Sequence, residues 1–192
     1  MQNAILVPGR PDKDQHYDSK RPSNSEDFWF GWLRRQLILK DIHAVAIEPP
    51  FPFRPRYEEW KREFQRFDIL PDTILVGHSC GGGFLIRYLS DHKDLRVGKV
   101  FLVAPWINPF NDAESDTADF FDFEIDPDFP RRTGGVTVFV SIDDFKGVLK
   151  TVEILISKTK GINLREFKDK GHFTFSDLGT KEFPELLEEI LK

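Results

Sequence analysis

Thr73-Ile74-Leu75-Val76-Gly77-His78-Ser79-Cys80-Gly81-Gly82-Gly83 joins an apolar, β-branched run to G-x-S-x-G, and a helical pattern follows at once. A buried strand, a sharp turn and a helix in that order form a nucleophile elbow, which presents a serine at its tip. The turn asks Ser79 for a strained conformation. Glycines two positions to either side leave out the Cβ atoms that would hold strand and helix apart. A glycine-rich helix start can produce the same letters by chance, so the neighbouring elements have to decide between the two.

Towards the N-terminus, Ala4-Ile5-Leu6-Val7 is a continuous apolar run closed by Pro8-Gly9, as suits a strand buried on both faces. Residues 10–24 are polar and turn-prone and read as a loop, and Ser23-x-x-Glu26 has the form of a capping box for the next helix. Trp29, Trp32, Leu33 and Leu37 share one helical face, Ala44-Val45-Ala46-Ile47 is a second strand, and Tyr57, Trp60, Phe64 and Phe67 mark a second helix.

Beyond the elbow the alternation continues. Phe84, Leu85, Tyr88 and Leu89 follow Ser79 at helical spacing, and Val100-Phe101-Leu102-Val103 is a fourth strand. Residues 105–132 are irregular and cap-like. Val136 to Val140 is a fifth strand, followed by a helix carrying Val148, Leu149, Val152, Leu155 and Ile156. Ile162, Leu164 and Phe167 indicate a sixth strand, amphipathic enough for an edge. Phe183, Leu186, Leu187, Ile190 and Leu191 make the last helix, with Pro184 in its first turn. Strands alternating with helices predict a three-layer α/β/α sandwich on a parallel sheet of about six strands. In such sheets ligands gather where the strands end, here after Val7, Ile47, Val140 and Phe167 and at Ser79.

A chain of 192 residues suits a single domain, residues 1–192, with a substantial core. The net charge of −5 argues against general nucleic-acid binding. No apolar run approaches the roughly 18 residues of a membrane span, and no signal-peptide pattern opens the chain. The expected setting is cytoplasmic. One cysteine, Cys80, excludes an internal disulfide and thiolate metal clusters.

A serine hydroxyl needs a base within reach, and a histidine held by a carboxylate meets that need near neutral pH. Of the five histidines, His16 lies in the first loop, His43 enters a strand and His92 ends a helix. His78 is the x of G-x-S-x-G, where its side chain is expected to point away. His172, in Lys170-Gly171-His172-Phe173, alone combines the right edge of the sheet with a flexible loop. The carboxylate belongs after the fifth strand, where Asp143 and Asp144 stand side by side. Adjacent side chains diverge, so one faces His172 and the other caps the following helix. The chain order Ser, Asp, His is that of α/β-hydrolases.

With these pieces in order, the chain resembles the small serine hydrolase family that includes retinoblastoma-binding protein 9. The resemblance rests on the strand ending Val7-Pro8-Gly9, on Trp29-Phe30-Gly31-Trp32-Leu33, on Gly77-His78-Ser79-Cys80-Gly81, on Asp143-Asp144 and on Gly171-His172-Phe173. It implies an α/β-hydrolase fold with a minimal cap, Ser79 as nucleophile and His172 as base. The family's acid is the second of the pair, here Asp144. Where the family continues with a proline-containing turn this chain has Phe145-Lys146-Gly147, which keeps Asp143 as an alternative. The oxyanion hole should use the backbone N–H of Cys80, at a helix N-terminus, and one from the loop after the first strand, by position Arg10, with Gly9 as the alternative.

The acids within residues 111–128 lack EF-hand spacing and are read as a solvated face, so no metal is expected. The aromatics Trp106, Phe110, Phe120, Phe121, Phe123 and Phe129 either wall an apolar acyl pocket or pack as core. Ser79 breaks G-x-G-x-x-G, so no phosphate loop and no cofactor are expected. The expected activity is hydrolysis of small or medium carboxylic esters, with amides as a secondary substrate, through an acyl-enzyme. The rival expectation is a protein-interaction module with little turnover, since the family is named after a protein partner. A third, C–C bond hydrolysis or haloperoxidase-like chemistry, uses the same fold without any residue that argues for it.

Overall fold

The computed structural model describes residues 1–110, 117 and 119–192. Six parallel strands form one sheet: β1 (Asn3–Val7), β2 (His43–Ala46), β3 (Ile74–His78), β4 (Val100–Val103), β5 (Val136–Ser141) and β6 (Ile162–Phe167), in the order β2-β1-β3-β4-β5-β6. β3, β4 and β5 are buried at every residue, which is why they read as unbroken apolar runs rather than alternating ones. β2 and β6 are the edge strands, and the central residues of β6 are exposed.

Helices cover the sheet. α4 (Cys80–Asp91) lies against β1, β3 and β4, and α3 (Tyr57–Phe64) packs on it through Trp60 and Phe64 against Phe84 and Tyr88. α2 (Phe30–Ile38) meets α7 (Pro184–Leu191), and the Trp29 and Phe183 rings beside them touch edge to face at 5.7 Å. α5 (Lys146–Lys158) packs on β5.

Three local expectations need correction. The stretch read as loop contains a short helix, α1 (Lys13–Tyr17), which has no buried residue and hence no apolar period to reveal it. Ser23 makes no side-chain cap and starts only a 3₁₀ turn, Asn24–Glu26; the Glu26 carboxylate instead pairs with Arg34 at 2.6 Å. Phe67 lies beyond the end of α3. A further short helix, α6 (Phe175–Leu178), follows His172 and is opened by a capping box between Thr174 and Asp177.

β1 neighbours both β2 and β3. The chain therefore leaves β1 to one side and returns past it, so the loops after β1 and β3 open a crevice at a topological switch point. Ser79 stands at its floor.

Candidate active site

Ser79 has φ 53° and ψ −121°, a conformation a non-glycine residue rarely adopts, at a cost of roughly 1–3 kcal/mol. Hydrogen bonds hold it there: its N–H donates to the Val103 carbonyl at 2.9 Å, and its carbonyl accepts from Gly83 and Trp106, each at 3.1 Å. The flanking glycines are required by close backbone approach. A Cβ on Gly77 would lie 2.7 Å from the Gly81 carbonyl oxygen, and one on Gly81 would lie 2.1 Å from that of Val7. The second contact draws the loop after β1 against the start of α4.

His172 Nε2 lies 2.9 Å from Ser79 Oγ, and Nδ1 lies 3.0 and 3.1 Å from the two carboxylate oxygens of Asp144. A carboxylate only accepts, so Nδ1 carries the proton and Nε2 presents its lone pair to the Ser79 hydroxyl. The Asp144 side chain is fully buried, and Oδ1 also accepts the Phe145 N–H at 2.7 Å. Asp143 turns the other way. It is exposed, accepts hydrogen bonds from the Ser141 hydroxyl and the Gly171 N–H, and does not cap the next helix. The Ser141 bond foremost holds its carboxyl below the usual carboxylate range. The two adjacent acids thus divide the work: one reaches the imidazole, the other holds the loop that carries it.

His78 was expected to point away. Its ring instead lies under His172, centroids 4.9 Å apart, with Nε2 2.8 Å from the His172 carbonyl oxygen. Desolvation foremost, and the neighbouring His172, push its pKa down to about 3, so it is neutral. The exposed Phe145 ring stands 4.2 Å from the His172 ring. Neither contact has a sequence signature, because both depend on loop geometry.

The Cys80 thiol is buried, and desolvation pushes its pKa up to about 12 against the opposing effects of the Arg10 charge, of the backbone N–H groups of Arg10 and Cys80 and of the Ser79 hydroxyl. The loop after β1 passes close to the nucleophile: a Cβ on Gly9 would lie 3.0 Å from that of Ser79.

A cleft of about 770 Å³ opens above Ser79 and His172. Its wall is the segment Gly9 to Phe28, joined by Glu48, Phe145 and Thr174. Side-chain bonds brace that wall: Asn24 to the Gly9 carbonyl, Arg10 to that of Phe53, Arg21 to Asp27, and the Ser25 N–H to Glu48. The aromatics of residues 105–132 do not line it. Phe120, Phe121 and Phe129 are buried as core, Phe120 among Tyr57, Trp60 and Phe84 and Phe121 against Trp106. Of the two expectations the core one describes these three rings, with α3 packed around Phe120. Asp112, Glu114 and Asp116 lie outside the described residues. Among the described residues no group of three or more His, Cys, Asp or Glu side chains is placed to hold a metal ion, and no helix is long and apolar enough to cross a membrane.

A serine hydrolase family model matches residues 21–191. The chain belongs to the serine hydrolase family. Within sequence relatives, it is 25% identical over 199 aligned positions to the rat serine hydrolase RBBP9, covering 97% of this chain and 92% of that one. It is 31% identical over 86 positions to YdeN of Bacillus subtilis, itself named a hydrolase, a match spanning 43% of this chain and 45% of YdeN. The crystal structure of YdeN superposes with a TM-score of 0.76 at 22% identity, covering 99% of this chain and 96% of that one, which supports the α/β-hydrolase architecture. The strand order, the elbow and the hydrogen-bonded chain from Ser79 to Asp144 are this hydrolase's own.

Proposed function

We propose that this hydrolase cleaves small or medium carboxylic esters, with amides as slower substrates, through an acyl-enzyme on Ser79. The hydrogen-bonded sequence Ser79–His172–Asp144 at the floor of an open cleft carries the reading. Ser79 Oγ attacks the carbonyl carbon as its proton passes to His172 Nε2, and Asp144 steadies the imidazolium that results. The oxygen of the tetrahedral intermediate turns to the N–H groups of Cys80 and Arg10, with the positive end of α4 behind them. Collapse expels the alcohol, which takes the proton from His172. Water, deprotonated by the same imidazole, then releases the acid.

The cleft favours substrates of limited length. Its wall mixes Asp12, Gln15 and Glu48 with Tyr17, Phe28 and Phe145, which suits compact groups better than a long alkyl chain. Hydrolysis of p-nitrophenyl esters from acetate to laurate tests this, with a maximum expected at the short to middle lengths. No turnover of any ester by a folded wild type would favour an interaction module instead, and turnover by Ser79→Ala at the wild-type rate would overturn the mechanism.

A further inference from the structure

One backbone hydrogen bond closes the turn that carries His172, from the Phe173 N–H to the Lys170 carbonyl at 2.9 Å. Gly171 has φ 45° and Phe173 φ 57°, so left-handed residues flank it on both sides, and Phe173 has a Cβ to accommodate. Side chains hold the rest of the loop. The His172 N–H donates to Asp177 at 3.0 Å and the Gly171 N–H to Asp143 at 3.1 Å. Two consecutive carbonyls face inward, each with one buried side-chain donor: Phe173 receives Trp29 Nε1–H at 3.1 Å, and His172 receives His78 Nε2 at 2.8 Å.

A carbonyl only accepts, so His78 must carry its proton on Nε2. Its Nδ1 is then a buried lone pair with no hydrogen-bond partner among the described residues, on the side facing Gly9. A core histidine kept for packing alone has no reason to retain such an unsatisfied atom, which an apolar residue of like size would avoid. His78 is also the residue immediately before Ser79, on the strand end that the elbow locks to β4. The nucleophile and the clamp on its base are therefore one peptide apart.

We infer that His78 is a positioning residue, whose Nε2–H bond to the His172 carbonyl ties the imidazole to the strand that presents Ser79 and so sets the distance between nucleophile and base. The inference rests on the hydrolase reading. It deepens that reading by adding a group that touches no substrate. Loss of the bond frees the His172 carbonyl from its buried donor and loosens the loop between Gly171 and Phe173, and a displacement near 1 Å is enough to lower turnover by about 100-fold.

The test compares His78→Leu with His78→Gln on p-nitrophenyl butyrate, alongside the rate of fluorophosphonate labelling and thermal melting. Leucine fills space without a donor, whereas the glutamine amide nitrogen reaches the position of imidazole Nε2. The leucine variant is expected to lose about 10–100-fold in kcat with KM within about twofold, and to label more slowly by a similar factor. The glutamine variant should recover most of the loss. If leucine does not fold, His78→Asn, whose shorter amide cannot reach the carbonyl, takes its place in the comparison. Wild-type kcat in a folded donor-less variant, equal losses with and without the donor, or a change confined to KM would overturn the inference while the hydrolase reading stands. Absence of wild-type turnover would overturn both.

Discussion

Replacing Asp144 by asparagine changes one atom and should remove most of the activity. Oδ1 of Asp144 accepts the Phe145 N–H at 2.7 Å, and both oxygens lie within 3.1 Å of His172 Nδ1. An asparagine that keeps its oxygen on the Phe145 N–H sets its NH₂ where Oδ2 was, donor against donor with Nδ1–H. The ring relieves this by moving its proton to Nε2. That nitrogen then donates to Ser79 Oγ, 2.9 Å away, and can no longer take its proton. A tautomer error of this kind lowers turnover by about 10⁴ in a serine protease. For Asp144→Asn we expect kcat/KM to fall about 10³–10⁴-fold, or about 4–5.5 kcal/mol of transition-state stabilisation. The burial of this carboxylate leaves no room for water to substitute. Asp143→Asn is the internal control. It is exposed, keeps an oxygen for the Gly171 N–H, and should cost less than about tenfold. Steady-state hydrolysis of p-nitrophenyl butyrate, with melting curves to confirm the fold, decides it. An Asp144→Asn variant retaining more than a tenth of wild-type activity, or an Asp143→Asn variant as impaired as expected for Asp144→Asn, would refute the assignment.

Three further outcomes follow from the same geometry. In Gly81→Ala a Cβ would meet the Val7 carbonyl oxygen at 2.1 Å, so the loop after β1 must move; a loss of about 1–3 kcal/mol is expected, and an unchanged melting temperature would contradict the close approach. His78 has a folded pKa of about 3 against an ordinary 6.5, so below pH 6.5 the unfolded chain binds a proton that the folded chain refuses. Its contribution to stability is complete above about pH 6.5 and declines as pH falls towards 3, by about 2 kcal/mol between pH 7 and pH 5. Urea titrations should therefore show His78→Gln losing about that much less over the interval than the wild type, and parallel curves would count against a buried neutral imidazole. The Cys80 thiol, raised to about 12, should react with Ellman's reagent at pH 8 at least about 100-fold more slowly in the folded protein than in 6 M guanidinium; equal rates would place it elsewhere.

The parts of this molecule that were legible in the sequence are those set by period and order. Strands buried on both faces read as apolar runs, β6 showed its edge position through its amphipathic pattern, and the chain order of Ser79, the acid pair and His172 pointed to one edge of the sheet. What stayed hidden depends on how side chains turn in three dimensions. Asp143 and Asp144 are chemically identical neighbours, and only the bend after β5 aims the second at His172 and the first at the Gly171 N–H. Phe120 and Phe129 were equally consistent with a pocket or a core, and the crowding of α3 and α4 around Phe120 makes it core. The cleft wall came from the polar segment after β1, which has no apolar period but is braced by its own hydrogen bonds. His78 gave no signal because its partner is a carbonyl 94 residues away.

In the proposed mechanism Ser79 Oγ is the nucleophile that becomes acylated. Intact-protein mass spectrometry after treatment with a fluorophosphonate, followed by peptide mapping, tests it most directly. One adduct per chain is expected, on the peptide containing Ser79, with none formed on Ser79→Ala and labelling of His172→Ala slowed by several orders of magnitude. An adduct mapped to any other residue, or a folded wild type left unlabelled under conditions that inactivate a known serine hydrolase, would contradict it.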